Sequence, residues 1–481
     1  MKKIFAIVTL FLCSQHTYAQ NMVEFTISRP YCLLNFMETT LNEHGTSSTL
    51  AKHIKEKVPE SDTAFGRLVE DFSNLTLDYS YNRDEFPASR RSHRSTADLI
   101  KIAAIQSRTL GHFRMRISGI LPNSEQTKLC DILKKAERYY ERVISLQNFL
   151  DGRTQLQRLE EYEPGMGKAF VKLRKLYGAS WSDDMPFRVA LYFIPGSRGN
   201  STASPYGNSL AVGVFTEEKD YVGRVGVVLH EMCHVLYDEQ PAALQHHYDS
   251  LFNANPSPYR QAAHDYFDEG MATALGNGWA YKQLSGQLDT TEWYHDKYIN
   301  GFGHALYPLA EAYINTDKTI DKAFIDSAIQ LFGHTFPRAT ADYGVLMNRV
   351  HVYADAEDEK ERQVIYNQMS AYFRFTYASM NTPILDETSL KEIKTDIAIP
   401  VIVIDRNHKA NLDGIRKIYP EIASITKGKS DKNYVLSFYD KQKRPVIIVY
   451  ADNTAMVKKA FELLHKEKYI DDRQPYYPLS Y

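Results

Sequence analysis

The residues best suited to chemistry are His230-Glu231-Met232-Cys233-His234, which match the pattern H-E-x-x-H. On a helix, residues four apart lie on one face, so His230 and His234 can present imidazole nitrogens to one metal ion. Glu231 lies one position further round, close enough to reach a water beside the metal without being a ligand. Zinc favours such donors, and a catalytic zinc site keeps one coordination position for water. The segment therefore predicts a zinc-binding helix.

The flanks of this segment support the same interpretation. The sequences VGVVL and VLY on either side are apolar, which predicts that the helix is buried. A lone buried histidine is usually satisfied by ordinary hydrogen bonds. Two histidines and a glutamate on a buried helix all need partners, because polar groups are costly to bury alone, and at this spacing a lone satisfied histidine is the less favoured interpretation.

Glu269 is the best candidate for a third protein ligand. It lies 35 residues after His234, in a predicted helix that runs from Ser257 as N-cap, with Pro258 in the first turn, to about Gly276. Its neighbours on one helix face are mainly apolar or small, and a carboxylate there is costly to bury unless it binds a cation or a donor. The alternative is an exposed helix glutamate.

The sequences HEMCH at 230–234 and DEGMATAL at 268–275 resemble the gluzincin branch of zinc metallopeptidases. The resemblance covers about 150 of the 481 residues, from 187 to roughly 334, and identifies no particular family within the branch. The G-A-M-E-N element of one aminopeptidase family is absent from the sequence. The H-x-x-G-x-x-H continuation of metzincins is absent as well.

This resemblance implies a role for each matched residue. His230, His234 and Glu269 would bind one Zn²⁺ ion, and Glu231 would be the general base. A further His or Tyr would stabilise the oxyanion, and His304 in the sequence GFGHALYPL is preferred because nearby glycines allow close backbone approach. The alternatives for that role are Tyr298, Tyr307 and His334. Residues 208–215 would form an edge strand that pairs with an extended peptide, or else an ordinary strand.

The elements around these residues predict an α+β fold class. Residues 20–180 read as a helical N-terminal region, with a surface loop at 78–95 and helices at 128–150 and 167–177. Residues 181–390 would form a mainly helical, zincin-like catalytic domain with a small edge-stranded sheet, whose strands at 187–194 and 208–215 flank a loop at 196–206. Residues 395–481 predict a β-α-β-β-α lobe. Whether the N-terminal region is a pro-segment, a lid or an integral lobe stays open.

The first 19 residues have the pattern of a secretory signal peptide. Lys2 and Lys3 precede an apolar run from 4 to 12, and a small-residue cleavage site ends at Ala19. No later run reaches the ~18 apolar residues that a membrane span requires. The sequence thus predicts an exported protein, whether periplasmic, on the cell surface or secreted. Three cysteines follow the signal, and Cys32 and Cys130 could pair.

Three functional hypotheses follow. The leading one is an exported zinc metallopeptidase that acts on a peptide or protein substrate. The second is a zincin-shaped binding or surface protein without peptidase activity, and the third is a structural protein with an accidental motif. A net charge of −2 gives no global basic field for nucleic acid. The choice between endopeptidase and exopeptidase stays open.

Overall fold

The computed structural model describes residues 22–43, 45–87, 93–395, 399–406 and 408–479. The predicted signal peptide, residues 1–19, lies outside the described residues. The chain divides into two compact units, the first of Met1–Glu85, Arg91–Gln240 and Ala280–Leu288, and the second of Phe86–Arg90, Pro241–Trp279 and Asp289–Tyr481. Helices and several sheets occur together, which confirms a mixed α and β class. The domain boundaries near residues 180 and 390 stay predictions.

The described strands are β1 Val23–Thr26, β2 Ser80–Asn82, β3 His93–Ser95, β4 Phe187–Ile194, β5 Ala203–Tyr206, β6 Ser209–Phe215, β7 Arg349–Ala354, β8 Tyr377–Asn381, β9 Val401–Asp405, β10 Tyr434–Tyr439, β11 Pro445–Tyr450 and β12 Tyr476–Pro478. The described α-helices up to residue 238 are α1 Arg29–Thr40, α2 Ser48–Lys57, α3 Thr63–Ser73, α4 Thr96–Ile105, α5 Leu110–Arg116, α6 Asn123–Val143, α7 Leu146–Glu160, α8 Glu163–Tyr177 and α9 Tyr221–Asp238.

The later α-helices are α10 Ala242–Ala254, α11 Arg260–Asp265, α12 Phe267–Ala272, α13 Tyr281–Ser285, α14 Lys297–Asn315, α15 Lys322–Thr335, α16 Tyr343–Leu346, α17 Glu359–Ser370, α18 Glu387–Thr395, α19 His408–Ile418, α20 Glu421–Ile425 and α21 Thr454–Glu467. A π-helix, Thr273–Ala280, continues from α12. The helical periodicity around 128–150 belongs to two helices rather than one. Ser145 separates them, because its side chain accepts a hydrogen bond from the Asn148 amide and caps α7.

The first unit is built on a four-stranded sheet of order β1-β4-β6-β5. Strand β6 confirms the prediction of a strand at 208–215, but it lies inside the sheet, so its prediction as the edge strand was wrong. The edge is β5, which pairs antiparallel with β6 and comes from a segment predicted to be a loop. Its composition of small residues and Pro205 is typical of a turn, yet an edge strand tolerates proline because one side of it makes no ladder hydrogen bonds.

The N-terminal region contributes to this sheet as well as to the helices around it. Strand β1 pairs in parallel with β4, with Val23 opposite Phe187. Val23 and Phe25 are buried, and the Phe25 amide donates a 2.9 Å hydrogen bond to the Glu163 carboxylate of α8. Four residues are too few to show strand periodicity, which is why the sequence reads as helical there. Strand β1 is thus an integral part of the first unit.

A second difference within this region concerns the segment 78–95, which was predicted to be a surface loop. Its two ends form strands β2 and β3, which pair antiparallel with Ser80 opposite Ser95. All three residues of β2 are exposed, in keeping with the polar sequence. The pairing therefore adds a small two-stranded sheet to the first unit and no core.

The second unit contains a six-stranded sheet of order β12-β10-β11-β9-β7-β8. Strands β8, β7, β9 and β11 run in parallel, whereas β10 and β12 are antiparallel to their neighbours. The predicted strands at 434–439 and 445–450 are confirmed, and the predicted strand at 399–404 occurs one to two residues later as β9. Strands β7 and β8 lie in a stretch predicted to be helical. Their runs of six and five residues are short and contain polar residues such as His351 and Asn381, so no continuous apolar run marks them as strands.

Cys32, Cys130 and Cys233 form no disulfide in the described chain, so the suggested Cys32–Cys130 pairing is wrong. Burial raises the pKa of the Cys32 thiol to about 11, so that thiol stays protonated at neutral pH. Among the described residues, no helix combines the length and the apolar character that crossing a membrane would need.

Candidate metal centre

Helix α9 carries the H-E-x-x-H segment and is fixed firmly at its start. The side chain of Asp220 caps the helix by accepting a 2.8 Å hydrogen bond from the Gly223 amide. Arg224, in the first turn, is buried and donates to both carboxylate oxygens of Glu218, at 3.2 and 2.8 Å. A bidentate pair of this kind fixes orientation as well as position.

His230 and His234 project from this helix as the pattern predicts. Their Nε2 atoms are 3.1 Å apart, and His230 is only 6% exposed. Two nitrogens bound to one tetrahedral zinc at 2.0–2.1 Å would be about 3.3 Å apart. The observed separation fits two ligands of one ion, and it also fits a hydrogen bond between two neutral rings. Glu231, between them in sequence, is half-buried.

The predicted helix from 257 to 276 is interrupted in the structure. Helix α11 begins only at Arg260, because the Ser257 hydroxyl accepts a hydrogen bond from the Tyr259 amide within a turn. A break at Tyr266 then separates α11 from α12, and Glu269 lies in the first turn of α12. The π-helix that follows is a rare element that often occurs at functional sites.

His230, His234 and Glu269 are a group of side chains that could hold a metal ion. One ligand atom each of His230, His234 and Glu269 lies within 4.8 Å of the other two. Two imidazole nitrogens and one carboxylate oxygen form a donor set that suits zinc, whereas magnesium and calcium prefer oxygen donors alone. The residues therefore fit the metal that their spacing predicts.

Sequence reasoning missed the residue that contacts Glu269. Arg374 Nη2 donates a 2.7 Å hydrogen bond to Glu269 Oε1, and its Nη1 donates to the Tyr294 hydroxyl at 3.5 Å. Burial disfavours the charge of Arg374, but Glu269 and then Tyr294 more than offset this and raise the pKa of the guanidinium. Because 105 residues separate Arg374 from Glu269, no local pattern could have indicated this pair.

His304, the predicted oxyanion residue, lies on α14 and stacks on Trp293 with ring centroids 3.7 Å apart. It is not part of the three-residue group, and its catalytic role stays a prediction. Among the alternatives, Tyr307 is buried against the edge of the same tryptophan, and Tyr298 is buried against Tyr266 and Phe336. His334 is exposed on α15.

The glycines near His304 do permit a close approach between helices. A Cβ atom on Gly303 would lie 2.7 Å from the Thr273 side chain, and one on Gly270 would lie 2.7 Å from the Phe302 ring. Helix α14 therefore packs closely against α12 and the π-helix, because at each contact a glycine of one element faces a side chain of the other. Gly270 directly follows Glu269, so this contact fixes the backbone beside the carboxylate.

Comparisons of the chain with models of protein families, with curated proteins and with solved structures return no match. The resemblance to gluzincins therefore depends on the residues of the two helices alone.

Proposed function

We propose that this protein is an exported zinc-dependent metallopeptidase of gluzincin type, with a zincin-like catalytic region. The observation that carries the proposal is the 3.1 Å approach of two imidazole nitrogens on one buried helix, with a Glu269 oxygen in the same 4.8 Å group. His230, His234 and Glu269 would hold the ion. Export is proposed from the leader-like sequence of residues 1–19.

A bound zinc ion would polarise the scissile carbonyl. It would also lower the pKa of water, which makes a nucleophile available at neutral pH. The Glu231 carboxylate would accept one proton from the attacking water as the oxygen–carbon bond forms. It would then deliver that proton to the amide nitrogen as the carbon–nitrogen bond breaks. Glu231 is therefore the residue on which peptide hydrolysis depends, whereas zinc retention depends on its neighbours.

Edge strand β5 is the element proposed to bind the substrate. It is the outermost strand of its sheet, and it packs against α9 within the first unit. An extended peptide can add to such an edge through main-chain hydrogen bonds, which tolerate many side chains. This pairing suits a protein or peptide substrate of varied sequence.

The test is a digest of a mixed peptide library by the mature protein, read by mass spectrometry, with zinc content measured on the same samples. Wild type should contain about one zinc per chain and cleave peptides. Glu231→Gln should keep the zinc and cleave at least about 100-fold more slowly, because it cannot accept the proton. Glu217→Gln, an exposed acid in the same unit, should behave as wild type.

Two results would contradict this proposal. Cleavage by Glu231→Gln at the wild-type rate would remove the general-base role. Wild type without zinc after reconstitution would remove the metal site, and the short imidazole contact would then be a hydrogen bond. The positions of the cuts, internal or terminal, distinguish an endopeptidase from an exopeptidase.

A further inference from the structure

The parallel strands of the second unit have their carboxyl ends at one edge of the sheet. At that edge the chain leaves two neighbouring strands toward opposite faces. The chain leaves β7 through α17, whose Ile365 and Met369 join the core on one face of the sheet. It leaves β9 through α19, whose Ile415 joins the core on the opposite face. Since β7 and β9 are neighbouring parallel strands, their carboxyl ends form a topological switch point, the place where open α/β sheets bind ligands.

A cavity of about 350 Å³ lies at this edge, within the size range of small-molecule sites. Its lining comes from the segments that follow three of the four parallel strands, β7, β9 and β11. Glu357 and Asp358 follow β7, Arg406 follows β9, and Thr454 begins the helix after β11. The cavity and the switch point are thus independent observations that indicate the same place.

Some of the lining residues form hydrogen bonds and an ion pair with one another. Asp358 caps α17 by accepting a 2.8 Å hydrogen bond from the Glu361 amide, and Glu361 accepts one of 2.8 Å from the Glu357 amide. Arg406 forms an ion pair with Glu361, and both side chains are mostly buried, at 25% and 14% exposure. Glu357 and Lys360 are exposed and carry opposite charges.

The chemistry of the lining argues against a nucleotide. The described lining has no aromatic ring on which a base could stack. The segments 355–358 and 451–453 contain no glycine, so they lack the loop in which backbone amides surround phosphate. Three carboxylates, those of Glu357, Asp358 and Glu361, would also repel a phosphate.

Both signs of charge in one cavity suit a ligand that carries both. Lys360 is positive and favours a carboxylate, and Arg406, which also pairs with Glu361, adds a second positive charge. Glu357 favours an ammonium group. We propose that this cavity binds a zwitterionic ligand, a free amino acid or a short peptide. With three carboxylates against two cations, the cavity prefers L-lysine over L-glutamate.

Calorimetry on the mature chain, with a chelator present so that the metal centre does not contribute, tests this inference. The probes are L-lysine, L-alanine, L-glutamate, Ala-Ala and AMP. We expect saturable binding of L-lysine at about 1 mM or tighter. The double variant Glu357→Gln/Lys360→Gln should weaken it at least about 10-fold, through loss of charge-assisted hydrogen bonds. Stronger binding of Ala-Ala than of L-alanine would identify a peptide as the ligand. Stronger binding of L-alanine would identify a free amino acid.

The matched control is Glu462→Gln/Lys466→Gln, an exposed pair of the same two residue types on α21, which should bind as wild type. The inference is overturned if no zwitterion saturates the protein, if the Glu357/Lys360 double variant binds as tightly as wild type, or if AMP binds in its place. None of these outcomes depends on zinc or on peptidase activity.

Discussion

At the scale of single residues, Arg374 orients the carboxylate of Glu269. A carboxylate ligand has two oxygens, and a partner on one of them orients the other. Arg374 contacts Oε1 at 2.7 Å, and it is itself held by Tyr294. Groups that hold a ligand in this way commonly change metal affinity 10–100-fold when they are removed.

We therefore predict that Arg374→Gln weakens zinc binding by about 10- to 100-fold. The zinc affinity of Arg374→Lys should lie between those of wild type and Arg374→Gln, because lysine keeps the charge but lacks the planar fork of donors. Competition with a chromophoric chelator measures the affinity directly. Arg473→Gln, an almost fully exposed arginine, serves as the control. Unchanged zinc binding in Arg374→Gln would show that Arg374 does not position the carboxylate for the metal, and tighter binding would show that it competes with the metal.

The predictability of these residues follows from their separation along the chain. His230, Glu231 and His234 are evident because the helical repeat places ligands four residues apart. Glu269 can be proposed only because a zinc-type pair precedes it. Arg374 is set by the tertiary fold of the second unit, and no spacing rule connects it to Glu269.

At the scale of elements, the contact between α12 and α14 depends on the absence of a side chain at Gly270. We predict that Gly270→Ala lowers the free energy of unfolding by about 1–3 kcal/mol, because its Cβ would lie 2.7 Å from the Phe302 ring. Gly66→Ala should instead raise it by up to about 1 kcal/mol, since a Cβ there meets no atom within 4 Å and alanine favours the helix. Urea denaturation measures both. Equal changes in the free energy of unfolding for Gly270→Ala and Gly66→Ala would contradict this packing.

A second element contact, between α1 and α4, predicts a dependence on pH. Glu38 lies 3.3 Å from Lys101, yet burial outweighs that cation and raises the pKa of the carboxyl to about 7. A raised carboxyl pKa stabilises the fold below the ordinary value of 4.5, and this contribution is lost as pH rises through 7.

Between pH 5 and 8, wild type should therefore lose up to about 3 kcal/mol relative to Glu38→Gln. Denaturant midpoints across that range measure the difference, and Glu70→Gln, an exposed acid on α3, is the control. A difference between wild type and Glu38→Gln that stays constant with pH would mean that Glu38 is charged throughout.

The elements themselves were predictable where they are long or strongly apolar. Strand β4 was predicted to the residue, and β10 and β11 likewise. Strands β1, β5, β7 and β8 were missed because each is short and interrupted by polar residues or proline, so that their partners along the sheet decide their conformation. The interruption of the helix at Tyr266 was missed because no glycine or proline marks it.

At the scale of the whole molecule, a metal held by the folded chain alone would add to its stability. We predict that a chelator lowers the apparent free energy of unfolding. The difference should be about 2.7 kcal/mol between protein with chelator and protein in free zinc at 100 times the dissociation constant. His230→Ala and Glu269→Gln should be less stable than loaded wild type and insensitive to the chelator. Thermal denaturation with and without zinc measures this. A chelator effect of wild-type size in His230→Ala would place the stabilising ion elsewhere.

The pairing of β1 with β4 joins residues that are synthesised far apart in time. Val23 cannot meet Phe187 until all of the intervening chain has been made, so this sheet is completed late. A protease that cut the chain between these two strands would not release the amino-terminal fragment. The nicked protein would migrate as one species under native conditions and as two only after denaturation.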